Sequence, residues 1–149
     1  MNFITNTVEE TIELGKKIGR SLKPCDIVCI DGDLGSGKTH LTKGIALGLG
    51  IDEHITSPTF NIVNEYEGRI KLYHFDVYRV NDPDEIAAIG FDEYIFSNAV
   101  SVIEWSDYIK ELIPDEHIQI NISNESETRR SINIQFFGKR YDNIKEVLL

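Results

Sequence analysis

A glycine-rich loop between an apolar run and a helix-like segment sets the limits on the fold of this chain. Residues 32–39 read GDLGSGKT and match the pattern G-x-x-x-x-G-K-[ST] at every position. The preceding run, DIVCIDG, is short, apolar and β-branched, as a buried parallel strand is. The following segment, KTHLTKGIALGLG, is typical of a helix that ends near Gly50. This order predicts an α/β fold with an anion-binding loop after a strand.

Helical and extended segments alternate along the rest of the 149 residues. Thr7 followed by Glu10 is a capping-box pattern and predicts a first helix. Two apolar runs around the turn Glu67-Gly68-Arg69 predict an antiparallel hairpin within residues 60–79. Later segments predict short helices after Pro83, a strand in AVSVIEW, a helix in SDYIKEL, two paired strands in HIQINIS and RSINIQFFG, and a helix in RYDNIKEVLL.

No repeat, low-complexity segment or flexible linker divides the chain, so the sequence predicts a single P-loop NTPase domain over residues 1–149. The alternation of segments predicts an α/β fold, in which a mixed sheet carries helices on both faces. A β-hairpin after the P-loop helix stands where a simple doubly wound fold would place a helical crossover.

The loop also predicts a ligand. Its glycines allow backbone N–H groups to converge on phosphate oxygens, and the start of the next helix adds positive potential. Lys38 is expected to reach the outer phosphates, and the Thr39 hydroxyl is placed to bind Mg²⁺. The predicted phosphate-binding residues are Gly35, Ser36, Gly37, Lys38 and Thr39. We therefore predict binding of a nucleoside triphosphate or diphosphate together with Mg²⁺.

Two acidic residues end apolar runs and are candidates for holding the metal and the attacking water. Asp76 is predicted to bind Mg²⁺ or its water, although an aspartate there also suits the cap of a turn. Glu104 is predicted either to bind the metal or to orient the water. Trp105 follows it and either contacts the nucleotide or belongs to the core. His74 shares a strand face with Asp76 and is a candidate partner.

The charge of the chain argues against direct binding of nucleic acid. The formal net charge is -10, and residues 82–127 carry twelve acidic side chains against one lysine. Phosphate backbones are bound by clustered Lys and Arg, so any nucleic acid is expected to be reached through a partner. The acidic region itself is either solvated surface or a docking face for partners.

The sequence predicts no contact with a membrane. No apolar run approaches the roughly 18 residues needed to cross a bilayer. The first residues, MNFITNTVEETIELGKK, carry acidic side chains where a secretory or organelle leader carries basic ones. We therefore expect a cytoplasmic protein.

Several stretches together resemble one family. The segments GDLGSGKT, SPTF, YHFDVYR, DPDEIAAIGFDEY and VIEW, in this order, are similar to TsaE, the bacterial P-loop ATPase of threonylcarbamoyladenosine biosynthesis on tRNA. The resemblance covers about Thr7 to Ile122. It implies an ATPase, weak alone and activated by partners, that supports turnover of the complex modifying the adenosine next to the anticodon of tRNAs reading ANN codons.

The resemblance also implies partners and site residues. The partners would be a carbamoyl-transferring, metal-containing subunit and its inactive paralogue, and tRNA would be reached through that complex. Lys38, Asp76 and Glu104 would be catalytic, and Thr39, Asp76 and Glu104 would bind Mg²⁺. The resemblance places Trp105 beside the ATP, Thr7 near the base and Thr59 in a switch-like loop.

Two other classes of protein remain open from the sequence. A small-molecule kinase would use the same loop to phosphorylate a metabolite, but such kinases usually need a lid with several arginines, and the six arginines here form no such cluster. A nucleotide-sensing adaptor would bind without useful hydrolysis and would not need Glu104 as a water-orienting acid. The guanine-reading sequence Asn-Lys-x-Asp is absent, which favours ATP over GTP.

Overall fold

A seven-stranded mixed sheet forms the centre of the fold in the computed structural model, which describes residues 1–58 and 62–149. Its strands are β1 (Asn2–Thr5), β2 (Ile27–Gly32), β3 (Val63–Tyr66), β4 (Leu72–Asp76), β5 (Val100–Glu104), β6 (His117–Asn124) and β7 (Arg130–Phe137). Their order across the sheet is β1-β7-β6-β2-β5-β4-β3. The four central strands β6, β2, β5 and β4 are parallel, and β1, β7 and β3 pair antiparallel with their neighbours.

Helices cover both faces of this sheet, as the sequence predicts. The helices are α1 (Val8–Ser21), α2 (Lys38–Gly48), α3 (Pro83–Ala88), α4 (Phe91–Ile95) and α5 (Asp142–Leu148), with 3₁₀ turns at Ser106–Leu112 and Lys139–Tyr141. Along β2, Val28 and Ile30 belong to the core under α1, α2 and α5. Ile27 and Cys29 belong to the opposite core, under α3, α4 and Ser106–Leu112. This alternation is the period of two expected of a strand buried on both faces.

Most predicted elements are present within a few residues of their expected ends. The start of α1 follows the prediction: the Thr7 hydroxyl accepts from the Glu10 N–H at 3.1 Å and caps the helix, while the Glu10 carboxylate accepts from the N–H of Asn6 at 3.1 Å. The hairpin after α2 is confirmed by the antiparallel pairing of β3 with β4, in the residues that the structure describes. Strand β5 and the hairpin of β6 and β7 also follow the prediction. None of the described helices is both long and apolar enough to cross a membrane.

One predicted helix has a different form. Residues 106–112 make a 3₁₀ helix that is interrupted at Ile109, where φ is -129°. The start of this segment is tied to the end of β2, because the Asp31 carboxylate accepts from the Ser106 hydroxyl at 2.5 Å and from the Asp107 N–H at 3.0 Å. These contacts with a distant strand override the helical tendency of the segment.

Arg69, in the turn of the β3–β4 hairpin, caps the ends of α1 and α2. Its Nη2 donates to the Gly19 carbonyl at 2.8 Å, and its backbone N–H donates to the Leu49 carbonyl at 2.7 Å. A cation near helix carbonyl ends is favourable. We expect Arg69→Ala to lower the free energy of unfolding by about 1 kcal/mol. Chemical denaturation measures this, with Arg129→Ala, an exposed arginine, as the control. Equal stabilities of the two variants would contradict the capping role.

Candidate active site

The glycine-rich loop joins β2 to α2 and bends back over the start of that helix. Gly35 and Gly37 have φ values of 75° and 101°, a region that side chains with a Cβ rarely adopt. The Ser36 N–H donates to the Asp33 carbonyl at 3.1 Å and closes the bend. Helix α2 then begins directly at Lys38. The loop therefore lies at the positive end of a helix, as a phosphate-binding loop does.

Lys38 lies inside the loop. Its side-chain Nζ donates to the carbonyls of Gly32 and Asp33, both at 2.7 Å. The same Nζ is 4.0 Å from the centre of the Trp105 ring, a favourable cation–π distance. Burial lowers the pKa of Lys38, and the nearby carboxylate of Glu104 opposes that shift. The loop carbonyls and the indole together hold this ammonium group in place.

Glu104 is a buried carboxylate at the end of the central strand β5. Only 2% of its surface is exposed. Its Oε1 accepts from the Thr39 hydroxyl at 3.2 Å, and its Oε2 accepts from the Thr42 hydroxyl at 3.2 Å. Both threonines come from α2, so Glu104 connects the sheet to the helix that follows the loop. A carboxylate held by several hydrogen bonds is positioned in advance for chemistry.

His74 is the second buried partner of Glu104. It is fully buried in β4, and its Nε2 contacts Glu104 Oε2. Its other ring nitrogen, Nδ1, has no hydrogen-bond partner among the described residues. In the tautomer that donates from Nε2 to Glu104, the unpartnered Nδ1 is an acceptor. The structure thus places the candidate partner His74 against Glu104.

Asp76 lies next to Glu104 at the same edge of the sheet, because the two residues are register partners in β4 and β5. Its Oδ1 accepts from the Tyr78 N–H at 3.0 Å, so the turn-capping alternative is also present. Burial raises the pKa of Asp76, the Tyr78 N–H lowers it, and the neighbouring Glu104 raises it again. Two neighbouring carboxylates concentrate negative charge and are a favourable place for a cation.

A cavity of about 250 Å³ opens between the loop and these carboxylates. Its lining includes Gly35, Gly37, Lys38, Thr39, His40, Ser57, Asp76, Glu104 and Trp105. Residues 1–58 and 62–149 contain no group of three or more His, Cys, Asp or Glu side chains placed to hold a metal ion. The oxygen atoms present still fit Mg²⁺, which is usually held by one or two carboxylates, water and substrate phosphates. Thr39, Asp76 and Glu104 are the residues that would hold it or its water here.

Trp105 lies between the core and the cavity beside the loop. It has a positive φ of 64° and starts the 3₁₀ helix that leads away from β5. The indole packs against the core beneath α3 and α4, and it also covers Lys38. Tyr78 lies beside it with ring centroids 4.5 Å apart, and Tyr108 stacks at 5.9 Å. The ring therefore forms one wall of the cavity and is held there by aromatic contacts.

One predicted site residue, Thr7, lies away from the carboxylates. Thr7 caps α1 and lines a separate cavity of about 70 Å³ together with Gly37, His40 and Arg130. Thr59 lies outside the described residues. Near it in sequence, the Ser57 Oγ is 3.0 Å from the Thr39 Oγ1. The segment around Ser57 thus reaches the residue that is expected to bind Mg²⁺.

Neither the contact of Thr42 with Glu104 nor the contact of Arg130 with the loop was predicted from the sequence. Thr42 donates to Glu104, and its position four residues after Lys38 on one helix face could have indicated this. Arg130 donates from its Nε to the Ser36 carbonyl at 2.9 Å. No local sequence pattern predicts this hydrogen bond, because 94 residues separate the two partners.

Comparison with known proteins finds a matching family. Residues 5–132 match the family model described as threonylcarbamoyl adenosine biosynthesis protein TsaE. The tRNA threonylcarbamoyladenosine biosynthesis protein TsaE of Bacillus subtilis is 43% identical over 149 residues, covering 99% of this chain and 93% of that protein. The protein of the same name from Treponema pallidum is 37% identical over 134 residues, covering 90% of this chain and 99% of that protein.

A solved structure agrees with these sequence matches. The crystal structure of Bacillus subtilis YdiB superposes with a TM-score of 0.84 at 38% identity, covering 99% of this chain and 93% of that one. The P-loop fold predicted from the sequence is therefore confirmed, with its mixed sheet and flanking helices. On the family match and on these relatives, the chain belongs to the TsaE family.

Proposed function

We propose that this chain is an ATP-binding and ATP-hydrolysing subunit that acts in the biosynthesis of threonylcarbamoyladenosine on tRNA. The observation that carries the proposal is the buried Glu104 carboxylate, which accepts from the hydroxyls of Thr39 and Thr42 beside the P-loop. The names of the TsaE relatives supply the pathway. Hydrolysis would support turnover of the complex that modifies the adenosine next to the anticodon of tRNAs reading ANN codons.

Each site residue has a separate role in this proposal. The amides of Gly35, Ser36 and Gly37 and the Lys38 ammonium bind the phosphates. Glu104 orients the attacking water and accepts its proton as the water oxygen bonds to the γ-phosphorus and the bond from that phosphorus to the ADP oxygen breaks. Mg²⁺, when bound, neutralises charge on the phosphate oxygens.

Five further residues belong to the proposed site. Thr39 and Asp76, with Glu104, hold the Mg²⁺ or its water. Trp105 closes the site over Lys38, from which its ring centre is 4.0 Å distant. Thr7 and Thr59 would lie near the base and in a switch-like loop, respectively.

Partner subunits complete the proposal. We assign as partners a carbamoyl-transferring, metal-containing subunit and its inactive paralogue, and the tRNA is reached through them. The formal net charge of -10 supports an indirect route to tRNA, because phosphate backbones are bound by basic surfaces. We also propose a cytoplasmic location, since the names of the relatives describe a pathway that acts on tRNA.

The alternatives have less support. The family description and the relatives give no support to a small-molecule kinase. A sensor without hydrolysis would not need a buried carboxylate in contact with the Thr39 hydroxyl, and this chain has one. The absence of the Asn-Lys-x-Asp sequence favours ATP over GTP as the nucleotide.

ATP turnover tests this proposal directly. Phosphate release is measured for the purified chain alone and then with the two partner subunits and tRNA, with Lys38→Ala in parallel. We expect slow turnover alone, a rise of at least about tenfold with partners, and loss of both in the variant. Turnover that is absent under every condition, or phosphate found on an added metabolite, would contradict the proposal.

A further inference from the structure

Arg130 connects the P-loop to the hairpin of β6 and β7. Its Nε donates to the Ser36 carbonyl at 2.9 Å, and its Nη2 approaches the Gly35 carbonyl at 3.4 Å. Its Nη1 donates to the Ser126 carbonyl at 2.8 Å and to the Arg129 carbonyl at 3.1 Å. One guanidinium group therefore holds two loop carbonyls and two turn carbonyls, and its rigid fork makes such contacts directional.

The hairpin side of this connection is held firmly. Arg130 is the first residue of β7, and it is register partner of Thr5 in β1 and of Asn124 in β6. The turn between the strands is closed by the Glu125 N–H, which donates to the Arg129 carbonyl at 2.9 Å. The guanidinium thus extends to the P-loop from a backbone that is paired on both sides.

The direction of the Ser36 carbonyl decides the direction of the next amide. In a trans peptide the carbonyl and the following N–H point to opposite sides, and the described residues contain no cis peptide bond. Because Arg130 holds the Ser36 carbonyl, the Gly37 N–H points away from the guanidinium. Gly37 has a φ of 101°, a backbone conformation that glycine adopts more readily than residues with a Cβ. Phosphate-binding loops depend on such oriented N–H groups.

We propose that Arg130 is a positioning residue for phosphate binding. It fixes the Ser36–Gly37 peptide so that the Gly37 N–H is directed for a phosphate oxygen, and it does so through the loop carbonyls without taking part in the chemistry. This inference rests on the proposed function, since it concerns the same nucleotide. Its neighbour Arg129 is exposed and uses only backbone atoms in the contacts described here, which makes it the matched control.

The test compares Arg130→Ala, Arg130→Lys and Arg129→Ala with the unmodified chain. Calorimetry measures the affinity for ADP and ATP, and amide NMR measures the shift of the Gly37 N–H when ADP is added. We expect the Arg130→Ala variant to bind about tenfold more weakly and to show a smaller Gly37 shift. Arg130→Lys keeps the charge without the fork and should recover part of the affinity. Arg129→Ala should match the unmodified chain.

Each outcome decides the inference. If Arg130 is a positioning residue, Arg130→Ala binds ADP and ATP more weakly, while its thermal midpoint without nucleotide stays within a few degrees of that of the unmodified chain. Unchanged affinity and an unchanged Gly37 shift in Arg130→Ala would overturn the inference but leave the proposed function standing. If Arg130→Ala does not fold, unchanged affinity in Arg130→Lys overturns it instead. Failure of the unmodified chain to bind ATP would overturn the proposed function and this inference together.

Discussion

Glu104→Gln is expected to lower the rate of ATP hydrolysis by about a hundredfold or more while ATP still binds. Glutamine has nearly the same shape, and its side-chain oxygen can still accept from a threonine hydroxyl of α2. It lacks the negative charge, however, and is no base for the proton of the attacking water. Phosphate release with partner subunits measures the rate. The fluorescence of Trp105, the single tryptophan of the chain, measures binding.

A matched substitution separates this effect from a general change of charge. Glu111 is an exposed glutamate in the same acidic region, and it is absent from the lining of the P-loop cavity. Glu111→Gln should hydrolyse ATP at the rate of the unmodified chain. The thermal midpoint of both variants shows whether loss of the contact with His74 damages the fold. A Glu104→Gln variant that folds, binds ATP and hydrolyses it at the original rate would contradict the assigned role.

The parts of the site that the sequence predicted are those that local pattern specifies. The loop from Gly32 to Thr39 needs glycines at fixed positions between a strand and a helix. Its conformation therefore depends on neighbouring residues and can be predicted from a short stretch of sequence. Asp76 and Glu104 each end an apolar strand. Since parallel strands end at the same edge of a sheet, their meeting follows once the strands are recognised.

The parts that the sequence did not predict depend on contacts between distant residues. Strand β1 has only four residues and exists because it pairs with β7, near the other end of the chain. The segment at 106–112 departs from a regular α-helix where Asp31 binds its first residues. The sequence around Arg130 contains no pattern that predicts its contacts, and only the tertiary fold brings its guanidinium to Ser36. Such contacts leave no periodic signal in a single sequence.

Lys38→Ala is expected to weaken ATP binding by about a hundredfold or more, and turnover should fall with it. The Nζ of Lys38 is the buried cation of the loop, held by the carbonyls of Gly32 and Asp33. Alanine removes that charge from the place where phosphate charge is expected, while Glu104 and Asp76 remain. Their uncompensated negative charge then opposes an anionic ligand. Calorimetric titration with ATP and Mg²⁺ measures the loss.

Lys43 offers the control for this experiment, because it lies on the same helix and outside the cavity lining. Lys43→Ala should bind ATP as the unmodified chain does, so a change of net charge alone is not the cause. The increase in thermal midpoint on adding ATP gives an independent measure, since a ligand that binds only the folded state stabilises it. That increase should vanish in Lys38→Ala and persist in Lys43→Ala. If Lys38→Ala keeps both its affinity and its stabilisation by ATP, the loop does not bind the phosphates through this lysine.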